Sequence, residues 1–329
     1  MDFIINPTGR CNFACTFCAA SKLSDYYEEC SRELTAEDTI RIINPYKNIL
    51  GQLIFNGGDP LMMDPSYYFK ILEFLETLNH EVTISLTTNL YDFYKYPYKW
   101  EKLFKTHNVG VITSFQYGGK RRLKDGRIFS YQMFIDTLKM FKYIVGYKPN
   151  FIAVVDKDNE DLCRVTLETA RDNGIKCKLN KVVISGKNKD YYPRYRMFEK
   201  YIELYKQGLG KYEMNFSLFH NYFNNMPTYC PIEYNCYKYL RCINPDGKMT
   251  TCSYVAENYA SKYSIKQGTP ANSFAYDYRL IKNDCLSCRN FKLCNSCRVY
   301  IKEVKDNQDE ASYCANMKKL IPQLKELCK

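Results

Sequence analysis

Three cysteines close to the N-terminus constrain this chain more than any other feature. Cys11, Cys15 and Cys18 follow a C-x3-C-x2-C spacing in the run CNFACTFC. Three closely spaced thiolates can hold a four-iron cluster, in which one iron then lacks a protein ligand. An iron with an open position can bind a small molecule, whereas a fully ligated cluster can only transfer electrons. The same spacing also fits a zinc knuckle that lacks one ligand.

The number of cysteines indicates metal binding rather than disulfide bonding. The chain has 329 residues and 16 cysteines, and its N-terminus reads MDFIINPTGR, without the basic and apolar regions of a secretory signal. No run approaches the roughly 20 apolar residues that span a bilayer. We therefore expect a cytoplasmic protein with no membrane partner. Because cytoplasmic thiols stay reduced, the clustered cysteines indicate metal sites.

The positive charge does not by itself indicate a nucleic-acid partner, and we expect none. The formal net charge is +11 when every cysteine is counted as neutral. Three thiolate-bound clusters would lower the net charge to about +6. We interpret two basic runs as solvent-exposed faces, with binding of an acidic substrate segment as the alternative. These runs are Lys120, Arg121, Arg122 and Lys124, and Lys187, Lys189, Arg194 and Arg196.

Short β-branched runs alternate with longer amphipathic stretches over residues 1–215. This alternation predicts an α/β fold with a parallel sheet. Six strand–helix units are too few to close an eight-stranded barrel, so we predict a partial (β/α)6 TIM-like barrel with its active site at the carboxyl ends of the strands. The predicted strands are residues 3–6, 52–55, 82–86, 109–114, 151–155 and 178–184. The predicted helices are residues 35–46, 65–78, 98–106, 130–145, 160–172 and 192–207.

The remainder of the chain, residues 216–329, is organised differently. Strand–helix alternation stops, cysteines become dense, and Asn244-Pro245-Asp246-Gly247 is a turn signal. We expect such a segment to bury little apolar surface and to need additional stabilisation from metal. We therefore predict two domains, the barrel at residues 1–215 and a small cysteine-rich α+β domain at residues 216–329.

Two runs resemble motifs of the radical S-adenosylmethionine (radical SAM) superfamily. CNFACTFC, with Phe17 before its last cysteine, follows the first predicted strand, and Asn56-Gly57-Gly58-Asp59-Pro60 follows the second. The second run is similar to the family's GGEP motif, with aspartate in place of glutamate. Glycines leave the backbone open to a ligand's amino group, and the proline fixes the turn.

The resemblance implies a mechanism and a set of contacts. Cys11, Cys15 and Cys18 would hold a [4Fe–4S] cluster whose fourth iron binds S-adenosylmethionine. Reductive cleavage of this cofactor would give a 5′-deoxyadenosyl radical that abstracts hydrogen from the substrate. A flavodoxin- or ferredoxin-type protein would donate the electron. Further cofactor contacts would come from Asn56, Gly57, Gly58, Asp59, Pro60, from Asn89 in the run Thr87-Thr88-Asn89, and from Ser114. Turn formation is the alternative role of the strand-end residues.

The C-terminal cysteines resemble the SPASM domain, which carries two auxiliary [4Fe–4S] clusters. Their central run is C-x2-C-x5-C-x2-C, whereas the family usually has three residues in the last gap. Eight thiolates would saturate two clusters, which would then act as electron relays. A pair of zinc sites is the alternative. Taken in order, the ligands would be Cys230, Cys236, Cys252 and Cys297 for one cluster and Cys285, Cys288, Cys294 and Cys314 for the other.

Relatives of this type mostly modify peptides or proteins, by crosslinking, epimerisation or oxidation. Those that oxidise a sulfatase carry an aspartate directly after the third auxiliary cysteine, where this chain has Ser253. This difference argues against that activity. Because the first motif begins at residue 11, we expect no leader-recognition domain ahead of the barrel. Cys30, one of five cysteines outside the three groups, is the candidate hydrogen donor to a substrate radical.

We therefore predict a radical SAM enzyme that modifies a peptide or protein, with maturation of a ribosomally made peptide as the leading reaction. A dehydrogenase that acts on a small alcohol or sugar is the alternative within the enzyme class. A non-catalytic zinc-binding interaction protein is the alternative outside it.

Overall fold

A computed structural model describes residues 1–232, 236–252, 264–265, 285 and 287–329. Its described strands form one sheet: β1 (Asp2–Ile5), β2 (Gln52–Phe55), β3 (Thr83–Thr87), β4 (Val109–Ser114), β5 (Asn150–Val155), β6 (Cys177–Lys181), β7 (Leu240–Ile243), β8 (Met249–Thr250) and β9 (Ser264–Ile265). Their order across the sheet is β6–β5–β4–β3–β2–β1–β7–β8–β9.

The first six strands are parallel to their neighbours, which confirms the predicted α/β fold with an open parallel sheet. In β5, Phe151, Ala153 and Val155 are buried while the residues between them are half-buried, because successive side chains point to opposite faces. All six predicted strands are present. The last of them, β6, ends at Lys181 rather than at residue 184.

Helices connect the parallel strands, and all six that the sequence predicts are present. Two short helices, α1 and α4, were not predicted, and neither has a side-chain hydrogen bond at its N-cap. No described helix is both long and apolar enough to cross a membrane. The helices of this region are α1 (Ser21–Glu29), α2 (Ala36–Ile43), α3 (Pro65–Glu76), α4 (Tyr91–Lys95), α5 (Pro97–Phe104), α6 (Tyr131–Val145), α7 (Cys163–Asp172) and α8 (Arg194–Lys206).

Aromatic packing between α6 and the sheet supports the carboxyl end of β4. Phe134 of α6 stacks on Phe115 with ring centres 4.5 Å apart and meets Phe151 edge to face at 5.1 Å. Such pairs contribute about 0.5–1.5 kcal/mol beyond the burial of their area. The backbone that follows β4 is therefore held on a rigid base.

The C-terminal region extends the same sheet. Strand β7 pairs with β1 in parallel, with Ile5 opposite Ile243. The predicted turn between Asn244 and Gly247 is confirmed, since the N–H of Gly247 donates to the carbonyl of Asn244 (2.8 Å) and β8 returns antiparallel. The sheet therefore contains strands from both sides of residue 215. The division of the chain into two domains at that residue stays a prediction.

The last helix packs against α8 and buries Tyr313, Met317 and Leu324. Their spacing places them on one face of a helix. The expectation that this region buries little apolar surface was therefore wrong for its final helix. The described C-terminal helices are α9 (Met214–Phe223), α10 (Cys236–Tyr239), α11 (Phe291–Cys294), α12 (Arg298–Asp306) and α13 (Glu310–Leu327).

A buried carboxyl group, Glu213, precedes α9. It accepts hydrogen bonds from the hydroxyl of Tyr205 (2.6 Å), the N–H of Leu179 (3.1 Å) and the amide of Asn215 (2.9 Å). Burial raises the pKa of Glu213 to about 7, although these bonds oppose the shift. The group therefore titrates near neutral pH while it ties β6 to α8 and α9.

We expect Glu213→Gln to remove a pH dependence of stability. The pKa of Glu213 lies above its ordinary value of 4.5, so the folded state binds this proton more tightly than the unfolded state. The resulting stability is complete below the unfolded pKa and is lost as the pH rises through about 7. The shift corresponds to about 3 kcal/mol.

Melting temperatures at pH 5 and pH 8 provide the measurement. The wild-type value should fall between these two pH values by more than that of Glu213→Gln. Glu29→Gln, at an exposed position, should behave as the wild type. Equal decreases in all three proteins would contradict the assignment.

Candidate functional site

The cysteine loop follows directly on β1 and carries Cys11, Cys15 and Cys18, with Cys15 buried and the other two half-buried. The N–H of Phe13 donates to the sulfur of Cys11 (3.4 Å). Burial raises the pKa of the Cys11 thiol, and the charges of Asp59 and the other two cysteines raise it further. A metal must therefore displace the proton of this thiol in order to bind.

The segment after β4 supports the cysteine loop through the backbone. The N–H of Ala14 donates to the carbonyl of Arg122 (2.7 Å), and the N–H of Thr16 donates to the carbonyl of Lys120 (3.2 Å). These bonds fix the path of the loop between its cysteines. The backbone of the protein therefore holds the loop independently of any cofactor.

The glycine turn after β2 packs against the start of the cysteine loop. The N–H of Gly58 donates to the carbonyl of Thr8 (3.0 Å), and the N–H of Asp59 donates to the carbonyl of Arg10 (2.8 Å). A Cβ atom at Gly58 would collide with the carbonyl oxygens of Gly9 and Arg10, so only glycine permits this approach. Because these two amides are used inside the protein, neither is available to a ligand.

Asn56 offers a hydrogen-bond acceptor at this turn. Its Oδ1 atom is buried and has no hydrogen-bond partner among the described residues. Its backbone N–H donates to the carbonyl of Ile5 (2.9 Å), which holds Asn56 at the end of β2. An unsatisfied buried acceptor costs about 1–3 kcal/mol. A ligand amino group would satisfy it, which fits the amino-acid part of S-adenosylmethionine.

The carboxylate of Asp59 is engaged with the protein. It accepts hydrogen bonds from the N–H of Leu61 (2.9 Å), the hydroxyl of Thr88 (2.9 and 3.0 Å) and the N–H of Asn89 (2.7 Å). Burial raises the pKa of Asp59 to about 6, and these bonds oppose the shift. The described contacts of Asp59 therefore join the ends of β2 and β3, and its predicted contact with the cofactor stays a prediction.

Asn89 connects this network to the cysteine loop. Its Nδ2 donates to Oδ1 of Asn12 (2.7 Å) and lies 3.9 Å from the sulfur of Cys11. Its Oδ1 accepts from the N–H of Tyr91 (2.8 Å). The predicted contact of Asn89 with the cofactor likewise stays a prediction, whereas its contact with the loop is direct.

Ser114 lies beside Arg121, which is only 7% exposed. The guanidinium donates to Oγ of Ser114 (2.9 Å) and to Oε1 of Gln116 (3.2 Å). It also lies over the rings of Phe13 and Phe17 of the cysteine loop, at 5.9 and 5.4 Å from their centres. Its Nε has no hydrogen-bond partner among the described residues.

The interpretation of residues 120–124 as a solvent-exposed face was therefore wrong for Arg121. A run of basic residues carries no local signal of burial, and the aromatic partners of Arg121 lie far away in the sequence. Arginine matches carboxylates through charge and parallel hydrogen bonds. A buried guanidinium with an unused donor beside the cysteine loop fits the carboxylate of S-adenosylmethionine.

The cysteine loop supplies three thiol ligands in one motif. A structural zinc requires four ligands around one tetrahedral centre. An iron–sulfur cluster instead spreads its thiolates over several iron atoms. The donor set of the cysteine loop fits a cluster.

Three of the four predicted ligands of the first auxiliary cluster interact with one another. Burial raises the pKa of the Cys297 thiol, and the charge of Cys252 raises it further. Cys230 interacts electrostatically with both. The side chain of Cys236, the fourth predicted ligand, lies outside the described residues, as does Ser253.

Thiols of the second predicted group also interact through their charges. Burial raises the pKa of the Cys294 thiol to about 11, and the charges of Cys314 and Cys285 contribute to the rise. The N–H of Cys288 donates to the carbonyl of Cys285 (3.1 Å). The assignment of these cysteines to two groups stays a prediction, as does their binding of clusters.

The segment that follows β6 contacts both cysteine regions. The N–H of Lys187 donates to the carbonyl of Cys18 (3.2 Å). At the end of β6, the buried ammonium of Lys181 pairs with Glu303 of α12 (2.5 Å). The end of β6 and the segment after it therefore contact both the N-terminal cysteine loop and helix α12, whose N-cap is Cys297.

Cys30 lies apart from these groups. It is exposed and follows α1, whose nine residues span about 14 Å. Its predicted role as hydrogen donor stays a prediction. The other cysteines outside the groups are buried, namely Cys163, Cys177, Cys242 and Cys328.

The comparisons with known proteins agree with this geometry. A sequence model described as the Radical SAM superfamily matches residues 5–165. No curated protein matches the chain by sequence.

Solved structures match over nearly the whole chain. Native anSMEcpe with bound AdoMet is 16% identical, with 98% of this chain and 99% of that chain covered and a TM-score of 0.70. Native anSMEcpe with bound AdoMet and Cp18Cys peptide is 15% identical, with 98% and 99% covered and a TM-score of 0.68. Streptococcus suis SuiB bound to S-adenosylmethionine is 20% identical, with 92% and 74% covered and a TM-score of 0.56. At these identities the likeness shows a shared fold.

The matched residues 5–165 include the cysteine loop, the glycine turn and the strand ends that support them. The shared fold extends over the C-terminal region as well. The resemblance inferred from the sequence is thereby confirmed for residues 5–165, which match the radical SAM superfamily of enzymes.

Proposed function

We propose that this enzyme abstracts a hydrogen atom from a peptide or protein and so crosslinks, epimerises or oxidises it, with maturation of a ribosomally made peptide as the leading reaction. The observation that carries the proposal is the set of eight C-terminal cysteines, which follow the order of a two-cluster SPASM domain. The likeness to anSMEcpe with a bound peptide supports it, since that fold match covers 98% of this chain. The match of residues 5–165 to an enzyme superfamily argues against the non-catalytic zinc-binding alternative.

Within this proposal, the chain's own residues bind and orient the cofactor. Cys11, Cys15 and Cys18 would hold the [4Fe–4S] cluster, which would supply the electron for cleavage of S-adenosylmethionine. Asn56 would accept a hydrogen bond from the amino group of the cofactor. Arg121 and Ser114 would bind its carboxylate, and the aromatic rings beneath Arg121 would exclude water from that pair.

The two C-terminal cysteine groups bind the auxiliary clusters in this proposal. Cys230, Cys236, Cys252 and Cys297 bind one cluster, and Cys285, Cys288, Cys294 and Cys314 bind the other. With four thiolates each, both clusters are closed and transfer electrons only. Hydrogen abstraction leaves an unpaired electron on the substrate, and an oxidative or crosslinking outcome requires its removal. A flavodoxin- or ferredoxin-type protein is the expected source of the initiating electron.

The decisive experiment follows deuterium from candidate substrates into 5′-deoxyadenosine. Anaerobically reconstituted enzyme is reduced with dithionite in the presence of deuterated synthetic peptides or of deuterated glycerol and glucose. We expect transfer from peptides, and none with the Cys15→Ala variant. Transfer only from the small alcohol or the sugar would establish the alternative dehydrogenase reaction instead.

Arg121→Met should weaken the binding of S-adenosylmethionine. A hydrogen-bonded charge contributes about 1.5–3 kcal/mol, so we expect the Kd of the reconstituted enzyme to rise about tenfold or more. Arg122→Met is the matched control, because Arg122 is exposed and adjacent. Calorimetric titration under anaerobic conditions measures both. An unchanged Kd in Arg121→Met, with iron content preserved, would show that Arg121 does not bind the cofactor.

Asp59→Asn should loosen the cysteine loop. The new NH2 group would replace one oxygen and face the Thr88 hydroxyl together with the N–H of either Leu61 or Asn89. Leaving a buried donor unsatisfied costs about 1–3 kcal/mol. We expect a lower melting temperature and a lower yield of the N-terminal cluster, measured by iron content. Asp125→Asn, at an exposed position, is the control. If Asp59→Asn matched this control in both measurements, the network would have no positioning role.

A further inference from the structure

Arg194 is a buried cation at the first position of α8, with only 4% of its surface exposed. Its guanidinium donates to the carbonyl oxygens of Leu293 (3.2 Å) and Cys294 (2.8 Å), and to the hydroxyl of Ser296 (2.9 Å). A longer contact joins it to the hydroxyl of Tyr313 (3.4 Å). All four partners are neutral, and all belong to the C-terminal region. The interpretation of the run with Lys187, Lys189, Arg194 and Arg196 as a solvent-exposed face was therefore wrong for Arg194.

Arg194 has no carboxylate partner among the residues that the structure describes. Nearby Lys181 differs, because its ammonium forms a buried ion pair with Glu303 (2.5 Å). Arg196, two residues after Arg194, is 43% exposed and pairs with Glu160 (2.6 Å) and Glu199 (2.8 Å). Removing an unpaired charge from water is costly, and protein interiors normally provide a counter-charge. We therefore expect an anion to bind beside Arg194.

The guanidinium contacts the short segment that joins the two C-terminal cysteine groups. It donates to the carbonyl of Cys294, a predicted ligand of one cluster. It also donates to the hydroxyl of Ser296, which directly precedes Cys297, a predicted ligand of the other cluster. The ring of Tyr300 lies 5.1 Å from the guanidinium carbon and shields it on one side. Arg194 thus stands between the two groups of predicted thiolates.

We propose that Arg194 is the shared counter-cation of the two auxiliary clusters and raises their reduction potentials. The inference rests on the proposed function, because it requires that both cysteine groups bind clusters. A cubane with four thiolates carries a net charge of about −2, and its one-electron reduction makes that about −3. A fixed positive charge stabilises the reduced state more than the oxidised state. The guanidinium therefore makes each cluster a better acceptor for the electron left on the substrate.

Redox titration followed by electron paramagnetic resonance tests this proposal. The full-length chain is used with Cys11, Cys15 and Cys18 replaced by alanine, so that only the auxiliary clusters give signals. Arg194→Met removes the charge, Arg194→Lys keeps it, and Arg196→Met is the matched control on the same helix. The titrations are repeated in the holoenzyme that retains all its cysteines.

We expect Arg194→Met to lower the ratio of reduced to oxidised auxiliary cluster at least tenfold at a fixed potential, which is a shift of about 59 mV for one electron. Arg194→Lys and Arg196→Met should remain close to the unsubstituted protein. If Arg194→Met lost its auxiliary iron while Arg194→Lys kept it, the charge would be required for assembly, which also supports the proposal.

Three results would overturn the inference. In the first, Arg194→Met keeps its clusters with an unchanged potential. In the second, Arg194→Lys shifts the potential as much as Arg194→Met. In the third, both variants lose auxiliary iron equally, which would make Arg194 a packing residue only. Failure of the proposed function is distinguishable, because the unsubstituted enzyme would then carry about four irons rather than about twelve.

Discussion

The close approach of the glycine turn to the cysteine loop is the contact on which the rest of the site depends. Gly58 packs against the carbonyl oxygens of Gly9 and Arg10 with no room for a side chain. Two backbone hydrogen bonds, from Gly58 and Asp59, bind the ends of β1 and β2 into one unit. Asp59 then extends this unit to β3 through Thr88 and Asn89. The cysteines are therefore positioned by backbone geometry that no other residue at position 58 could reproduce.

The sequence was most informative where the signal is local. The six barrel strands were predictable because each is a short apolar run bounded by turns or amphipathic helices. The cysteine loop and the glycine turn were predictable because their spacing is specific and each follows a strand. Parallel strands bring their carboxyl ends to one edge, so the convergence of these motifs followed from topology.

What the sequence did not reveal depends on contacts between distant residues. Arg121 and Arg194 both lie in basic runs, and both are buried. Their immediate neighbours in the chain are exposed or half-buried. The local composition therefore did not indicate that these two arginines are buried. The pairing of β7 with β1 was equally hidden, because a four-residue strand among cysteines carries little periodicity. The final helix was not predicted because Pro322 lies inside it, and proline ordinarily ends a helix.

The pairing of β7 with β1 has a consequence for how the protein is made. Strand β1 has β2 on one side and β7 on the other, and Ile5 lies opposite Ile243. During synthesis, β1 leaves the ribosome early but cannot complete its hydrogen bonding until β7 has also emerged. Contacts so distant in sequence are slow to form because a long loop must close first. The strand that leads into the cysteine loop thus stays an open edge for most of translation, and its final shape is set only after the C-terminal region has been added.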